Sequence, residues 1–413
     1  MSAPADTRSA CLRARWVLPI EQPPIENGWV ATEGGVIQAI GHGQPPAGNV
    51  TDLGDTAILP GLINAHTHLE LSWLAGRVPQ APSMSTWIRG LMAARRQSPH
   101  EDVQRAAAAV ALGMARAQGT LAFGDISNTL VTAPVLAEGA PGSVLFHELL
   151  GFAPHDADAR ADAGAERVLA AARSASPMEP PYPHVRPGLA PHAPYSVSSD
   201  LFAGIDRAGR ARYLPSSVHL GESPEEIEFL MTGRGPIAEM LKDLGAWDEA
   251  WRAPACGPVE YLDGLGVLRE ALLVVHATQL TPDALATVAE RACVIVACPR
   301  SNRWVGAGDP PLDAFYASGA TVALGTDSLA SVESLDMFAE LAAARAISSV
   351  SDAVLLESAT SGGAKALGLE NHFGRLAPGL RAPLLAVGVP SGVTDVQEYL
   401  VGGRPETRWW VGG

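Results

Sequence analysis

The sequence predicts an α/β fold: a (β/α)8 TIM barrel with a small β-sandwich domain formed by both ends of the chain. Two observations predict this fold. Eight short apolar runs alternate with helical patterns from about residue 57 to residue 327, and strands that alternate with helices form a parallel sheet. On either side of this stretch, short strand patterns are broken by glycine turns, as in residues 29–41.

The eight apolar runs are the predicted strands of the barrel. In chain order they read AILPGLINAH, GTLAFGDI, SVLFHELL, VRPGLAPH, PSSVHLG, LLVVHATQL, VIVACPR and VALGTDS. A closed eight-stranded barrel typically takes about 250 residues, which is close to the length of this stretch. We therefore assign residues 59–371 to the barrel. An open, doubly wound sheet is the alternative, and the number of runs disfavours it.

The two ends of the chain, residues 1–58 and 372–413, are predicted to form one β-sandwich domain. Neither end alone could bury much of a sheet face, and three or more strands are usually needed for independent stability. The Pro60–Gly61 pair and the segment near His372 are the predicted linkers between the two domains.

Helix start signals lie between the predicted strands. Ser98–Glu101 reads SPHE, with Ser as N-cap, Pro as first helical residue and Glu at the third, which is a capping box. Ser223–Glu226, which reads SPEE, repeats this pattern, and Thr281–Asp283 opens a further helix.

Composition limits the classes of function. The chain has 413 residues, of which 47% are hydrophobic and 18% charged, and its net charge is −15. This composition is typical of a folded enzyme for small molecules, and the negative charge argues against nucleic acid or a membrane as partner. No stretch reads as a secretory peptide or a membrane span, and the four cysteines are scattered, so we expect reduced thiols and a cytoplasmic location.

Histidines and one aspartate lie at the carboxyl ends of predicted strands, where barrel enzymes carry their catalytic groups. The stretch NAHTHLELS places His66 and His68 two residues apart, so that on a strand both rings point to one side. The other candidates at strand ends are His192, His219, His276 and Asp327. Each alone fits a structural role, such as a core histidine or a helix cap, but their joint placement indicates a metal site. His147 is interpreted as structural.

Three histidines and a carboxylate suit one divalent metal ion, with zinc expected and iron as the alternative. Such an ion activates water at neutral pH if one position stays open. Glu222 follows His219 by three residues and is placed to reach over the ion as a proton shuttle. The alternative for Glu222 is an early helix residue that balances the helix dipole.

From about residue 60 to residue 331 the sequence resembles the metal-dependent amidohydrolase superfamily, in its branch of chlorohydrolases and nucleoside deaminases. The segments that carry the resemblance are PGLINAHTHLELS, LAPHAPYSVS, VHLGES, VVHATQL, CPRSN and LGTDSLAS. The resemblance implies that the metal ligands are His66, His68, His219 and Asp327. It also implies that Glu222 shuttles protons, that His276 orients the attacking water, and that Asp327 helps as base. Relatives with two metals commonly carry a modified lysine in the fourth strand, and none is present here, so one metal ion is expected.

Within this branch the sequence most resembles the 6-aminodeoxyfutalosine deaminases of menaquinone biosynthesis, on NAHTHLELS, TWI, PVEYLDGLGVL and CPRSN. The implied reaction converts 6-amino-6-deoxyfutalosine and water into futalosine and ammonia. Glu70 is expected to bind the base or ribose, Trp87 to wall the pocket, His192 to contact the sugar or base, and Arg300 to bind the benzoate. The alternatives are a supporting role for Glu70, core packing for Trp87 and a loop ion pair for Arg300.

Three other functions stay open at this point. The substrate could be S-adenosylhomocysteine, methylthioadenosine or adenosine. The S-adenosylhomocysteine deaminases, however, usually carry a Glu shortly before the tryptophan, where this chain reads SMSTW. The bond could be a carbon–chlorine bond or a cyclic amide, although Glu222 argues against ring opening. The chain could also be a non-catalytic barrel stabilised by metal. A homodimer is expected by family analogy alone.

Overall fold

The computed structural model describes residues 9–46, 49–140, 142–153, 156–175, 185–403, 405 and 407–411. Parts of the predicted sandwich domain, residues 1–8 among them, lie outside the described residues. The strands are β1 Ser9–Val17, β2 Ile25–Glu33, β3 Val36–His42, β4 Val50–Asp52, β5 Thr56–Pro60, β6 Leu62–Thr67, β7 Thr120–Ser127, β8 Ser143–Leu149, β9 Val185–Pro191, β10 Ser217–Leu220, β11 Leu273–His276, β12 Val294–Ala297, β13 Thr321–Leu324, β14 Leu384–Gly388 and β15 Arg408–Val411.

The helices alternate with the strands from β6 onward, after a short 3₁₀ helix at Leu69–Leu74. They are α1 Met84–Arg95, α2 Glu101–Ala117, α3 Ala133–Gly139, α4 Ala157–Ala175, α5 Ser199–Ala211, α6 Pro224–Thr232, α7 Pro236–Asp243, α8 Pro258–Gly264, α9 Pro282–Glu290, α10 Pro299–Trp304, α11 Leu312–Ala317, α12 Met337–Arg345, α13 Asp352–Ser358, α14 Ser361–Ala366 and α15 Val396–Gly402. The mixed α/β class predicted from the sequence is confirmed.

Two four-stranded parallel sheets hold the eight predicted runs. Their strand orders are β6-β7-β8-β9 and β10-β11-β12-β13, and each run contains one of these strands. Single parallel bridges join the sheets at both edges, from Leu189 in β9 to Ser216 and from Thr67 in β6 to Asp327. Almost every residue of these strands is buried, as expected for parallel strands covered by helices.

Both ends of the chain contribute to a third sheet of seven strands, in the order β15-β14-β5-β1-β2-β3 with β4 beside β1. The first predicted run is divided between two sheets. β5 pairs antiparallel with β14 in the terminal sheet, whereas β6 belongs to a parallel sheet. Gly61 lies between the two strands. The backbone there passes so close to β7 that a Cβ atom would lie only 2.7 Å from Leu121 Cβ, so a residue larger than glycine would clash.

Two of the three predicted helix starts are confirmed and one is wrong. The side chain of Ser223 accepts a hydrogen bond from the Glu226 amide and caps α6, and Thr281 caps α9 in the same way. Ser98 is not a cap, because its amide bonds back to Arg95 and so completes the turn after α1. His100 caps α2 instead.

Contacts between β6 and β13 bring the first and last strands of the parallel sheets together. Asn64 donates from its side-chain amide to Thr326 Oγ1 at 2.8 Å and accepts from the Thr326 amide at 3.1 Å. Gly325 has no side chain to obstruct this approach, since a Cβ atom would lie 2.8 Å from the His66 carbonyl oxygen. The result is that His66 and Asp327, far apart in sequence, share one end of the strands.

Two further expectations concern membrane-spanning helices and the state of the cysteines. No helix among the described residues is both long and apolar enough to cross a membrane. All four cysteines, Cys11, Cys256, Cys293 and Cys298, are free thiols.

Candidate active site

Four imidazole rings meet at the carboxyl ends of β6, β10 and β11. The ring centroid of His66 lies 5.0 Å from His68, 5.0 Å from His219 and 5.8 Å from His276. His68 stacks on His219 at 5.6 Å, and His192 lies 5.0 Å from His219. The structure therefore brings together all five histidines that the strand-end argument selected.

Asp327 faces this cluster with one carboxyl oxygen. Its Oδ1 lies 3.8 Å from His66 Nε2 and 3.6 Å from His68 Nε2. Its Oδ2 accepts hydrogen bonds from Ser301 at 2.5 Å and Ser331 at 2.9 Å. The two hydroxyl groups fix the carboxyl group so that Oδ1 stays directed at the imidazoles. Asp327 also adopts a left-handed backbone with φ of 58°, an uncommon conformation that concentrates at functional sites.

Buried nitrogen atoms without partners indicate that the cluster is built to hold an ion. Both ring nitrogens of His66 are buried and lack a hydrogen-bond partner among the described residues. A buried polar group without a partner costs about 1–3 kcal/mol, so a missing ligand is the expected explanation. Donor atoms of His66, His68 and Asp327 lie within 4.8 Å of one another, and so do those of His66, His219 and His276. Nitrogen and carboxylate donors in this number fit zinc or a similar divalent ion.

Burial favours the neutral form of His66, His219 and His276, and metal binding requires neutral imidazoles. Burial lowers the pKa of His219 well below its usual value, with the neighbouring histidines adding to the effect, and it lowers the pKa of His66 as well. Burial also lowers the pKa of His276 to about 3. The His219 Nδ1 lies 3.0 Å from the His192 carbonyl oxygen, which orients the ring so that Nε2 is the nitrogen left for an ion.

Glu222 lies beside the cluster without belonging to any of the candidate ligand groups. Its Oε1 is 3.6 Å from His276 Nε2, and the residue is only 7% exposed. Burial raises the pKa of the Glu222 carboxyl group well above its usual value, and the charges of Asp327 and Glu226 raise it further. A carboxyl group with a raised pKa holds its proton more firmly than an exposed one, which suits it to act as a general acid.

The segment that carries Glu222 is fixed by Glu226 on the first turn of α6. Glu226 accepts hydrogen bonds from the amides of Gly221 at 3.0 Å and Glu222 at 2.9 Å. These bonds hold the turn between β10 and α6, so that Glu222 is directed back over the strand ends. His276 is positioned in a similar way, because Asn302 Nδ2 contacts its Nδ1 at 3.1 Å.

A cavity of about 380 Å³ opens above the cluster. Its walls include the expected residues Trp87 and His192 as well as Glu222, and many of its other lining residues are apolar. The Trp87 indole donates to the Ala330 carbonyl oxygen at 3.3 Å, which fixes the ring, and His192 Nδ1 lies 2.5 Å from Ser196 Oγ. A largely apolar cleft with a few polar groups is the usual form of a small-molecule site.

Two residues expected to bind substrate do not line this cavity. Both oxygens of Glu70 are occupied, because they accept hydrogen bonds from Ser127, Asn128 and Thr129 in the segment after β7. Arg300 is 3.3 Å from the buried Glu340, 3.1 Å from Glu333, and donates to the Ser334 carbonyl oxygen. Glu70 therefore supports a loop, and Arg300 forms the ion pair that was the alternative to benzoate binding.

Sequence reasoning missed three charged residues of the cavity wall, which are Arg95, Glu148 and Arg160. Glu148 could have been found, because it lies near the carboxyl end of the third predicted strand and points to the face opposite His147. His147 bonds to the Ser127 carbonyl oxygen and lies outside the cavity wall. Arg95 and Arg160 lie on helices, where the sequence carries no signal that they face the cavity.

Comparisons with known proteins identify the family of this chain. Residues 57–405 match the Amidohydrolase family. Aminodeoxyfutalosine deaminase of Deinococcus radiodurans is 33% identical over 346 residues, which cover 76% of this chain and 74% of that protein. The 5-methylthioadenosine/S-adenosylhomocysteine deaminase of Teredinibacter turnerae is 30% identical over 352 residues, which cover 80% and 71%.

The fold also matches a solved structure. Helicobacter pylori aminofutalosine deaminase, in complex with methylthio-coformycin, has a TM-score of 0.83 at 23% identity, over 96% of each chain. At this identity the likeness concerns the fold. The match to the family and the first relative confirm the resemblance read from the sequence: this chain is a hydrolase that belongs to the amidohydrolase family.

Proposed function

We propose that this chain is a metal-dependent hydrolytic deaminase of an adenine-type nucleoside, which converts 6-amino-6-deoxyfutalosine and water into futalosine and ammonia in menaquinone biosynthesis. The observation that carries the proposal is the convergence of the buried histidines and Asp327 beside the buried carboxyl group of Glu222. The relative from Deinococcus radiodurans supports the substrate, because it is named for it.

One divalent ion, zinc in the first place and iron as the alternative, is the proposed cofactor. The residues that would hold it are His66, His68, His219 and Asp327. The unpartnered nitrogens of His66 support this set, because a bound ion would satisfy a buried group that otherwise lacks a partner. When bound, the ion supplies Lewis-acid activation of the attacking water.

The side chains around the ion divide the proton transfers of the reaction. Water adds to the carbon that carries the amino group, and Asp327 accepts a proton from it while His276 orients it. Glu222 gives its proton to the neighbouring ring nitrogen. The carboxylate of Glu222 then takes the proton of the newly added hydroxyl group and passes it to the amine, which leaves as ammonia while the oxygen remains as the carbonyl group, and Asp327 returns its proton to Glu222. The raised pKa of Glu222 supports this role, since the group must be protonated before water attacks.

The distant end of the substrate is proposed to lie against the helix side of the cavity. Trp87 and other apolar side chains there offer an aromatic ring a dry surface. Arg95 and Arg160 line the same cavity, and neither has an ion-pair partner within 4.0 Å among the described residues. An arginine binds a carboxylate with two parallel hydrogen bonds, so these residues replace Arg300 as the proposed benzoate contacts.

The proposal also covers the domain architecture, the oligomeric state and the location of the chain. The two parallel sheets are proposed to close into a (β/α)8 TIM barrel over residues 59–371, because single bridges join them at both edges. Residues 1–58 and 372–413 are proposed as the β-sandwich domain, on the support of the shared seven-stranded sheet. A homodimer and a cytoplasmic location stay predictions.

A panel of nucleosides tests the proposal. The chain, loaded with zinc, is assayed by the change in ultraviolet absorbance from adenine to hypoxanthine and by release of ammonia. Aminodeoxyfutalosine is expected to give the highest kcat/KM at micromolar concentration. Loss of turnover in Glu222→Gln with metal content retained would show that this site performs the reaction, whereas an inactive parent chain would favour the non-catalytic metal-stabilised barrel.

A second candidate is deamination of 5-methylthioadenosine or S-adenosylhomocysteine. The relative from Teredinibacter turnerae supports it, because that protein is named for these substrates. The same panel separates the candidates, since clearly higher kcat/KM for either compound than for aminodeoxyfutalosine would overturn the first one. Chloride release from triazines would favour the chlorohydrolase alternative.

A further inference from the structure

Three carboxyl groups line the cavity, and only two of them act at the reacting carbon in the proposed reaction. Those two are Glu222 and Asp327, and the third is Glu148 at the end of β8. Glu148 is 7% exposed, which is unusual for a glutamate unless it is paired. A buried carboxyl group that takes no part in catalysis requires another explanation.

One oxygen of Glu148 has a partner and the other has none. Oε2 accepts a hydrogen bond from Asn128 Nδ2 at 2.8 Å. Oε1 is buried and has no hydrogen-bond partner among the described residues. The nearest cationic candidate is His219 Nδ1 at 3.8 Å, but that nitrogen already contacts the His192 carbonyl oxygen at 3.0 Å. Oε1 is therefore an acceptor without a donor.

The support behind Glu148 is rigid. Asn128 is fixed through its backbone amide, which donates to Glu70 Oε1 at 3.0 Å. Glu70 in turn accepts three further hydrogen bonds from the same segment, from Ser127 and Thr129. A fixed amide behind one oxygen holds the carboxyl group in place, so that its other oxygen offers a preorganised acceptor.

Glu148 forms a further candidate ion-binding group with His68 and His219, but both of these histidines are already assigned to the ion proposed above. With that ion on its other ligands, the missing donor of Oε1 comes from the molecule in the cavity. An adenine ring offers nitrogen acceptors along its edges, and its hydrogen-bond donor is the 6-amino group. In the proposed reaction that amino group lies beside Glu222, which is 3.6 Å from His276 at the end of β11. The remaining donors of an adenine nucleoside are the hydroxyl groups of its ribose.

We propose that Glu148, held by Asn128, binds the ribose hydroxyl groups of the substrate and so selects ribonucleosides over deoxyribonucleosides. This inference rests on the proposed function, because it assumes a nucleoside in the cavity. A carboxyl group can accept from both hydroxyls of a vicinal diol, since each oxygen carries two lone pairs. A site built to bond a hydroxyl group discriminates strongly against an analogue that lacks it, because the buried acceptor is then left without a partner.

The test compares Glu148→Gln with the parent chain on substrates that differ only in the sugar. The kcat/KM values are measured for adenosine, 2′-deoxyadenosine and 3′-deoxyadenosine, together with calorimetric affinities for inosine and its two deoxy forms and with metal content. Glu138→Gln, an exposed substitution on α3, is the control. We expect the parent to prefer the ribonucleosides by about 10- to 100-fold, as when a buried acceptor is left without its donor, and the variant to lose most of that preference.

Each result that contradicts the proposed role of Glu148 points to a different explanation. An equal loss on all three substrates would overturn the proposal in favour of a role in positioning His219, and a loss of metal would overturn it in favour of a metal ligand. If no nucleoside is deaminated, the proposed function fails, and the affinities for the inosine series still decide the role of Glu148. Equal affinity of the parent for inosine and its deoxy forms would also overturn it.

Discussion

Replacing Glu222 by Gln removes the group that carries protons while keeping the shape of the site. The carboxyl group is 7% exposed and 3.6 Å from His276, and its burial raises its pKa well above the usual value. The amide of Gln can donate a hydrogen bond but cannot deliver a proton to the ring nitrogen. A positioned general acid contributes about 100- to 10,000-fold, so kcat should fall by that factor with little change in KM.

The assay is steady-state deamination of aminodeoxyfutalosine, followed by ultraviolet absorbance and combined with metal analysis of the same samples. Glu228→Gln is the matched control, because Glu228 lies exposed on the same helix α6. It should leave both kcat and metal content unchanged. A fall in kcat of less than about 10-fold in Glu222→Gln, or a parallel loss of metal, would refute the reasoning, since the first excludes proton transfer and the second makes Glu222 a ligand.

Three further predictions follow from other contacts. Arg95→Ala and Arg160→Ala should each lower kcat/KM for aminodeoxyfutalosine by about 10- to 100-fold. The kcat/KM for 5-methylthioadenosine, which has no carboxylate, should stay unchanged. Equal losses on both substrates would argue against a role in binding the carboxylate. Ser223→Ala should lower the free energy of unfolding in urea by about 0.5–2 kcal/mol, because it removes the cap of α6, and an unchanged midpoint would contradict this. Burial raises the pKa of Asp125 to about 7, so between about pH 4 and pH 7 the folded state binds a proton that the unfolded state has released. The free energy of unfolding of the parent should therefore fall as pH rises through this range. Asp125→Asn should make that fall less steep in urea titrations at several pH values, and an identical pH dependence would argue against the shift.

Residues at strand ends were predictable because local sequence determines them. The apolar runs mark the buried parallel strands, and a polar residue that follows such a run lies at the carboxyl end. That argument alone selected His66, His219 and Asp327, which the structure brings together. Glu148 meets the same criterion, because it is the last residue but one of β8.

Contacts between distant segments were not predictable in the same way. Arg300 lies on α10, three residues after the end of β12, yet its side chain turns to Glu340 on α12, and no pattern in the sequence specifies that pairing. Glu70 immediately follows the paired histidines, yet it binds the segment after β7. The turn at Ser98 depends on where α1 ends, because its amide bonds back to that helix.

The division of the first apolar run shows a further limit. AILPGLINAH is apolar throughout, and both of its halves are buried strands. The halves belong to different sheets, and the change occurs at Gly61, where the backbone passes close to Leu121. Hydrophobicity identifies the strands, whereas the partner of each strand is set by tertiary packing.

Metal content is the measurement that tests the central claim most directly. The claim is that His66, His68, His219 and Asp327 jointly hold one divalent ion. Elemental analysis of the purified parent and of Glu222→Gln should give about one zinc or iron per chain, because the candidate ligand groups among the described residues share histidines and form one cluster. Asp327→Ala and His219→Ala should lose most of it. A parent chain that binds no divalent ion after incubation with zinc, or ligand variants that retain the full amount, would contradict the account.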